Sequence, residues 1–126
     1  MEQLPYQYVA LRCVPRVDRE EFVNIGVVLY CQRAGFLGCA GAVDEARLRA
    51  LDPRVDIGRL HAALSFADAV CRGDDTAGEV AGKPPGVRFG FLKAPRSTVV
   101  QPGPVHGGLT TDPSAELERL VGRLVR

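Results

Sequence analysis

Near its start the chain alternates apolar and polar positions with the period of two that marks extended strands. Tyr6 to Cys13 sets Gln7, Val9, Leu11 and Cys13 on one side and Tyr6, Tyr8, Ala10 and Arg12 on the other. Glu20 to Cys31 is the longest strand-favouring run. In it Val23, Ile25, Val27, Leu29 and Cys31 form a wholly aliphatic face, and Phe22, Asn24, Gly26, Val28 and Tyr30 a mixed one. Gln32 to Gly35 supplies a turn, after which Phe36 to Val43 reads as a third strand. The polar stretch opened by Pro15 returns the chain antiparallel. Matching faces sets Arg12 opposite Asn24 and Ala10 opposite Gly26. In the second hairpin it sets Cys31 opposite Leu37, Leu29 opposite Cys39, Val27 opposite Gly41 and Ile25 opposite Val43.

The periodicity then changes. Asp44 caps a short helix from Glu45 to Leu51, and Asp56 caps a longer one from Ile57 to about Arg72. Ile57, Leu60, Leu64, Ala67 and Cys71 make its apolar stripe, which suits it to cover the aliphatic face. Residues 73–86 are rich in glycine and proline and predict a mobile surface loop. Val87 to Leu92 reads as a further extended piece. Asp112 and Pro113 start a terminal helix with Leu117, Leu120, Val121 and Leu124 on one stripe. The expected architecture is α+β, an antiparallel β-meander sheet with helices packed on one face, in a single domain over residues 1–126.

Composition narrows the function classes. With 126 residues and a formal net charge of +1, no whole-molecule field favours nucleic acid or anionic lipid, and basic and aromatic residues are not interleaved along one surface. No apolar run reaches the length of a membrane span, and the start lacks a signal-peptide pattern, so the expected location is the cytoplasm. Cys13, Cys31, Cys39 and Cys71 show no C-x-x-C spacing. They read as small core residues, and with His61 and His106 they form no familiar metal-ligand arrangement. No metal or cofactor is expected.

Three groups of residues carry chemistry. On the mixed face Tyr8, Arg12, Asn24 and Tyr30 surround a small-residue centre at Gly26, either because another segment packs there or because a ligand or partner does. Arg96, Ser97 and Thr98 join a forked cation to two hydroxyls beside Pro95, with Gln101 following. Such a group suits a phosphate or carboxylate, although the glycine pattern of a P-loop is missing. The bland alternative has the hydroxyls satisfying a turn while Arg96 pairs with an acid such as Glu21. His106 sits in a Gly-rich loop, where an imidazole can act as acid, base or anion partner. No nucleophile-base pair is spelled out, and whether the chain is an enzyme stays open.

Three pieces of the sequence resemble one family: the strand carrying Tyr8 and Arg12, the block from Glu21 to Leu29, and Ala94 to Thr98 with Gln101. They resemble the bacterial domain of unknown function 3037 family over nearly the whole chain. The resemblance implies a small accessory protein, partner of a HipA-like kinase. Two functions are therefore carried forward. One is a non-enzymatic accessory or interaction module that uses the mixed face. The other is a small enzyme or binder gathering Arg12, Glu21, Asn24, Arg96, Ser97, Thr98 and His106 around a phosphate- or carboxylate-bearing ligand.

Overall fold

The computed structural model describes residues 2–96 and 98–126. Strands β1 (Leu4–Cys13), β2 (Val23–Cys31) and β3 (Phe36–Gly41) form an antiparallel meander. Helices α1 (Glu45–Leu51), α2 (Ile57–Arg72) and α3 (Pro85–Lys93) follow, then short strands β4 (Val100–Pro102) and β5 (His106–Thr110), and last α4 (Pro113–Leu124). Both β4 and β5 pair antiparallel with β1, so the sheet order is β3-β2-β1 with β4 and β5 sharing the far edge. This is an α+β fold. Among the described residues no helix is long and apolar enough to cross a membrane.

Each predicted cap forms. The side chains of Asp44, Asp56 and Asp112 accept from the backbone N–H groups of Arg47, Arg59 and Ala115, satisfying donors that a helix start leaves without partners. The terminal helix begins with proline at its first position, as expected.

The helices divide between the two faces of the sheet. On one face Val9, Leu11, Cys13, Ile25 and Val28 pack with Leu48 of α1, Leu60 and Val70 of α2, and Phe89 and Leu92 of α3. On the other Tyr6, Val27, Leu29 and Cys31 pack with Leu117, Leu120 and Val121 of α4. The expectation that α2 and α4 share a single face is corrected here, and the cause lies in β2. Leu11 pairs with Gly26 but Arg12 pairs with Asn24, so Ile25 is an extra residue in a β-bulge. The bulge reverses the phase of the strand. Val23 and Ile25 side with α2, whereas Val27, Leu29 and Cys31 side with α4, and the continuous odd-numbered face of the alternation pattern does not exist. Because both faces of β2 are buried, both can be apolar.

The same two-sided burial explains the second register. Cys31 pairs with Phe36, Tyr30 with Leu37, Val28 with Cys39 and Gly26 with Gly41, one residue away from the pairing that face-matching suggests. With apolar residues on both sides, side-chain matching no longer selects the register, and the four-residue turn does. Two glycines permit the crossing. A Cβ on Gly41 would stand 2.2 Å from the Ile25 carbonyl oxygen, which instead accepts from the Ala42 N–H at 2.9 Å. A Cβ on Gly26 would stand 2.8 Å from Leu64 Cδ2, so α2 presses onto the strand at this point. Close packing by another segment is therefore the reason for the small centre at Gly26.

Val87 to Leu92 is helical, within α3, and not extended. Pro85 at the start of the helix presets its first φ, and Phe89 and Leu92, three residues apart, turn inward together. The preceding segment, expected as a mobile loop, carries 3-10 turns over Asp75–Gly82 with Ala77 buried. Arg88 of α3 ties it down. Its guanidinium donates to the carbonyls of Val70 (2.8 Å), Cys71 (2.7 Å) and Lys83 (2.9 Å), satisfying the end of α2 with a cation where the helix dipole favours one.

Replacing Gly41 with alanine is expected to cost about 2 kcal/mol or more, because the new methyl meets backbone that cannot yield. Gly26→Ala, which meets chiefly the movable end of Leu64, should cost less. Urea unfolding measures both, and an unchanged midpoint for Gly41→Ala would show that β3 does not cross the bulge in this register.

Candidate functional site

Arg12, Asn24 and Gln101 stand in one row across the sheet. Arg12 on β1 pairs with Asn24 on β2 and with Gln101 on β4. Four residues earlier along β1, roughly 13 Å away at strand rise, Tyr8 pairs with His106 of β5, their rings stacked with centroids 5.3 Å apart. Both rows lie on the face that carries α4. That helix covers β2, β3 and Tyr6 of β1, while Tyr8, Ala10, Arg12 and Gln101 are partly exposed and His106 is exposed. Ala10, between Tyr8 and Arg12, keeps the floor shallow.

Arg12 is held as a flat ledge. Its guanidinium lies 3.8 Å from the centre of the Phe22 ring, a cation-π geometry. Gly103 also packs against it: a Cβ there would stand 2.8 Å from Nη2, so a larger residue would have to displace the guanidinium. Nε is buried without a hydrogen-bond partner. No ion pair to Arg12 is present among the described residues.

Asn24 caps the end of α4. Its Nδ2 donates to the Leu124 carbonyl at 3.1 Å, and Arg47 Nη1 donates to the Val125 carbonyl at 3.0 Å. Donation to a carbonyl fixes which amide atom is nitrogen, so Oδ1 faces away from the helix. That oxygen is buried and unpartnered. A donor and an acceptor on directly opposed residues, whose Cβ atoms stand about 4.5–5.5 Å apart in such pairs, are thus both left unused.

The position of α4 is set at its other end by Tyr6. The Tyr6 hydroxyl donates to Glu116 Oε2 in a short hydrogen bond, and Arg119 donates to both Glu116 oxygens at 2.7 Å. Burial, and then the hydrogen bond to Glu116, push the Tyr6 phenol up to about 12. Arg119 lowers the Glu116 carboxyl below its usual value, chiefly through its hydrogen bonds.

The remaining sequence candidates scatter. Glu21 is exposed and pairs with Arg19 at 2.6 Å, not with Arg96. It borders a hollow of about 640 Å³, whose Arg16 and Arg19 are already paired with Asp18 and Glu21. Arg96 lies beside Leu11, Leu92 and Pro102, on the α2 and α3 side. Its guanidinium rests 4.6 Å from the Phe91 ring centre and donates to the Phe91 carbonyl. Thr98 is exposed and donates to the Val100 carbonyl, and Gln101 Nε2 donates to the Thr98 carbonyl. Ser97 lies outside the described residues. His106 opens a strand and does not sit in a loop. Tyr30 points away from Arg12, toward Phe89 of α3. Arg12, Asn24, Gln101, Tyr8 and His106 therefore share a face, while Arg96 and Thr98 lie on the other side of the sheet. Sequence reasoning missed Phe22 and Gly103, the two walls around Arg12. The available signal was the place of Phe22 on the same side of the alternation as Asn24.

The four cysteines are free thiols. Burial pushes the Cys39 thiol up to about 12, and burial also raises Cys71 and Cys13. None of these three is a ready nucleophile at neutral pH.

The family model described as "Protein of unknown function (DUF3037)" matches residues 8–125. The chain belongs to the DUF3037 family. No curated protein and no solved structure matches it. The DUF3037 match spans Tyr8, Arg12, Phe22, Asn24, Gly103 and His106, so the whole ledge lies within it.

Tyr6→Phe removes a hydrogen bond to a charged acceptor and should lower the stability of this DUF3037 protein by about 1.5–3 kcal/mol near neutral pH. The Tyr6 proton is held more tightly in the folded state, so its contribution is full below pH 10.0, its ordinary value, and is lost as pH rises through about 12. The Glu116 carboxylate is favoured by folding, so its contribution holds above its ordinary 4.5 and is lost as pH falls through the lowered value. Unfolding of wild type and Tyr6→Phe across pH should converge at alkaline pH. A gap that stays constant up to pH 12 would show that the phenol does not anchor α4.

Proposed function

We propose that this chain is a non-enzymatic interaction module whose contact surface is the open side of the α4-bearing face. The observation that carries this reading is Arg12, a cation stacked on Phe22 and packed against Gly103, with no acidic partner among the described residues. A guanidinium held flat loses little conformational freedom on binding, and its Nη edge matches a carboxylate or a backbone carbonyl. The Tyr8–His106 stack gives an aromatic platform at the other end of the same shallow floor. Aromatic rings and arginine are the residue types that carry most of the binding energy in protein interfaces.

The partner implied by the family resemblance is a HipA-like kinase in the cytoplasm. The alternative, a small enzyme or anion binder gathering Arg12, Glu21, Asn24, Arg96, Ser97, Thr98 and His106, loses ground because Arg96 and Thr98 lie on the other side of the sheet from Arg12, Asn24 and His106. High thiol pKa values also disfavour cysteine chemistry.

The test is association of the purified chain with the HipA-like kinase of the same host, followed by calorimetry or size-exclusion chromatography. Arg12→Glu should weaken the complex by at least about tenfold, roughly 1.4 kcal/mol. His106→Ala should have a smaller effect, and Arg33→Glu, in the β2–β3 turn, none. The melting temperatures of Arg33→Glu and His106→Ala should stay close to wild type. Absence of a complex, or one indifferent to Arg12→Glu, would count against the reading.

A further inference from the structure

On the opposite face we infer a second, separate binding groove, one that takes an acidic peptide segment with a single bulky apolar side chain between its carboxylates. The groove runs between α2 and the chain from Thr98 to Pro102. It comprises two adjoining hollows of about 190 Å³ and 520 Å³, which share Ala63, Thr98 and Val100. Arg59, Ala63, Phe66 and Ala67 fall on one stripe of α2, and the two small alanines make the depression. Leu11 and Leu92, each 5% exposed, form its floor, and Phe66, 42% exposed, stands at its rim.

Charge selects the occupant. Arg59 borders one hollow and Arg96 the other, and no carboxylate lines either. Neither arginine has an acidic partner among the described residues. Phe66 meets Phe91 edge-on at 6.1 Å, and the Arg96 guanidinium lies over Phe91, so that cation is fixed beside the Phe66 end. Arg59 and Phe66 are seven residues apart on α2, roughly 10 Å along the helix. An extended peptide covers that span in about three residues. An apolar side chain seated over Ala63 and Ala67 would thus place flanking carboxylates against the two cations. The groove is shallow and open along its length, which suits a chain segment better than an enclosed small molecule.

This inference shares with the proposed function only the idea of an interaction module. It uses the other face, so the two can fail independently. The probe is a fluorescein-labelled pentapeptide with one leucine between two pairs of glutamates, followed by fluorescence polarisation against the full chain. Saturable binding is expected, weakened at least about tenfold by Arg59→Glu. It should fall between about 0.05 and 0.5 M salt as the charges are screened. Replacing the glutamates with glutamine, or the leucine with serine, should weaken it comparably. Arg12→Glu, on the far face, should leave it unchanged. Arg59 is exposed and its side chain bonds to no other described residue, so the Arg59→Glu variant should fold, which circular dichroism checks. The inference is overturned by no saturable binding up to about 1 mM peptide. Equal binding of the glutamine peptide, indifference to Arg59→Glu, or displacement to a site sensitive to Arg12→Glu would also overturn it. Binding of decanoate in the groove without binding of the peptide would overturn it in favour of a small carboxylate.

Discussion

One extra residue in β2 decides where everything else goes. Without the bulge at Ile25, β2 would present Val23 through Cys31 as one aliphatic wall and Asn24 would share the side of Val28 and Tyr30. With it, the strand changes phase halfway, and each half supplies apolar residues to a different layer. Two helical layers can then be held by a single central strand, each buried aliphatic side chain contributing about 1.5–3 kcal/mol by leaving water. The phase change also puts Asn24 under the last turn of α4, where its amide nitrogen satisfies a carbonyl that the helix end leaves open.

Much of the fold was legible because its signals are local. Caps at Asp44, Asp56 and Asp112 are short-range hydrogen bonds that the sequence spells directly, and so are the turn before Phe36 and the stripe of α4. The pairing of Arg12 with Asn24 was also readable, since it lies on the near side of the bulge. The bulge itself was not. Its only trace is a pair of glycines, Gly26 and Gly41, whose meaning depends on which backbone approaches them. Alternation of apolar residues then misled, because a strand buried on both sides carries no polar side to mark its phase. The helix α3 was hidden for a related reason, since valine and phenylalanine favour strands, and tertiary packing of Phe89 and Leu92 outweighs that preference.

The candidate residues were chosen by chemical type, and type alone does not say on which side of a sheet a residue falls. Tyr8, Arg12, Asn24, Gln101 and His106 were brought together by strand pairing, of which the sequence suggests only Arg12 with Asn24. Arg96 and Thr98 were not, because both line the groove against α2, on the other side of the sheet. The walls that give Arg12 its orientation, Phe22 and Gly103, come from segments about 80 residues apart. Such walls are visible only once the edge strand is docked. The molecule thus separates two arginine-centred surfaces by the thickness of its sheet, one flat and polar, the other grooved and apolar.

The clamp formed by Arg88 bears on how the molecule comes apart. One guanidinium holds the final carbonyls of α2 and the carbonyl of Lys83 at once, so the end of that helix, the 3-10 segment and the start of α3 share a fastening. Fraying of any one requires releasing the others. Amide protons along this stretch should therefore exchange as one cooperative block, making a glycine-rich excursion behave as an integral part of the scaffold.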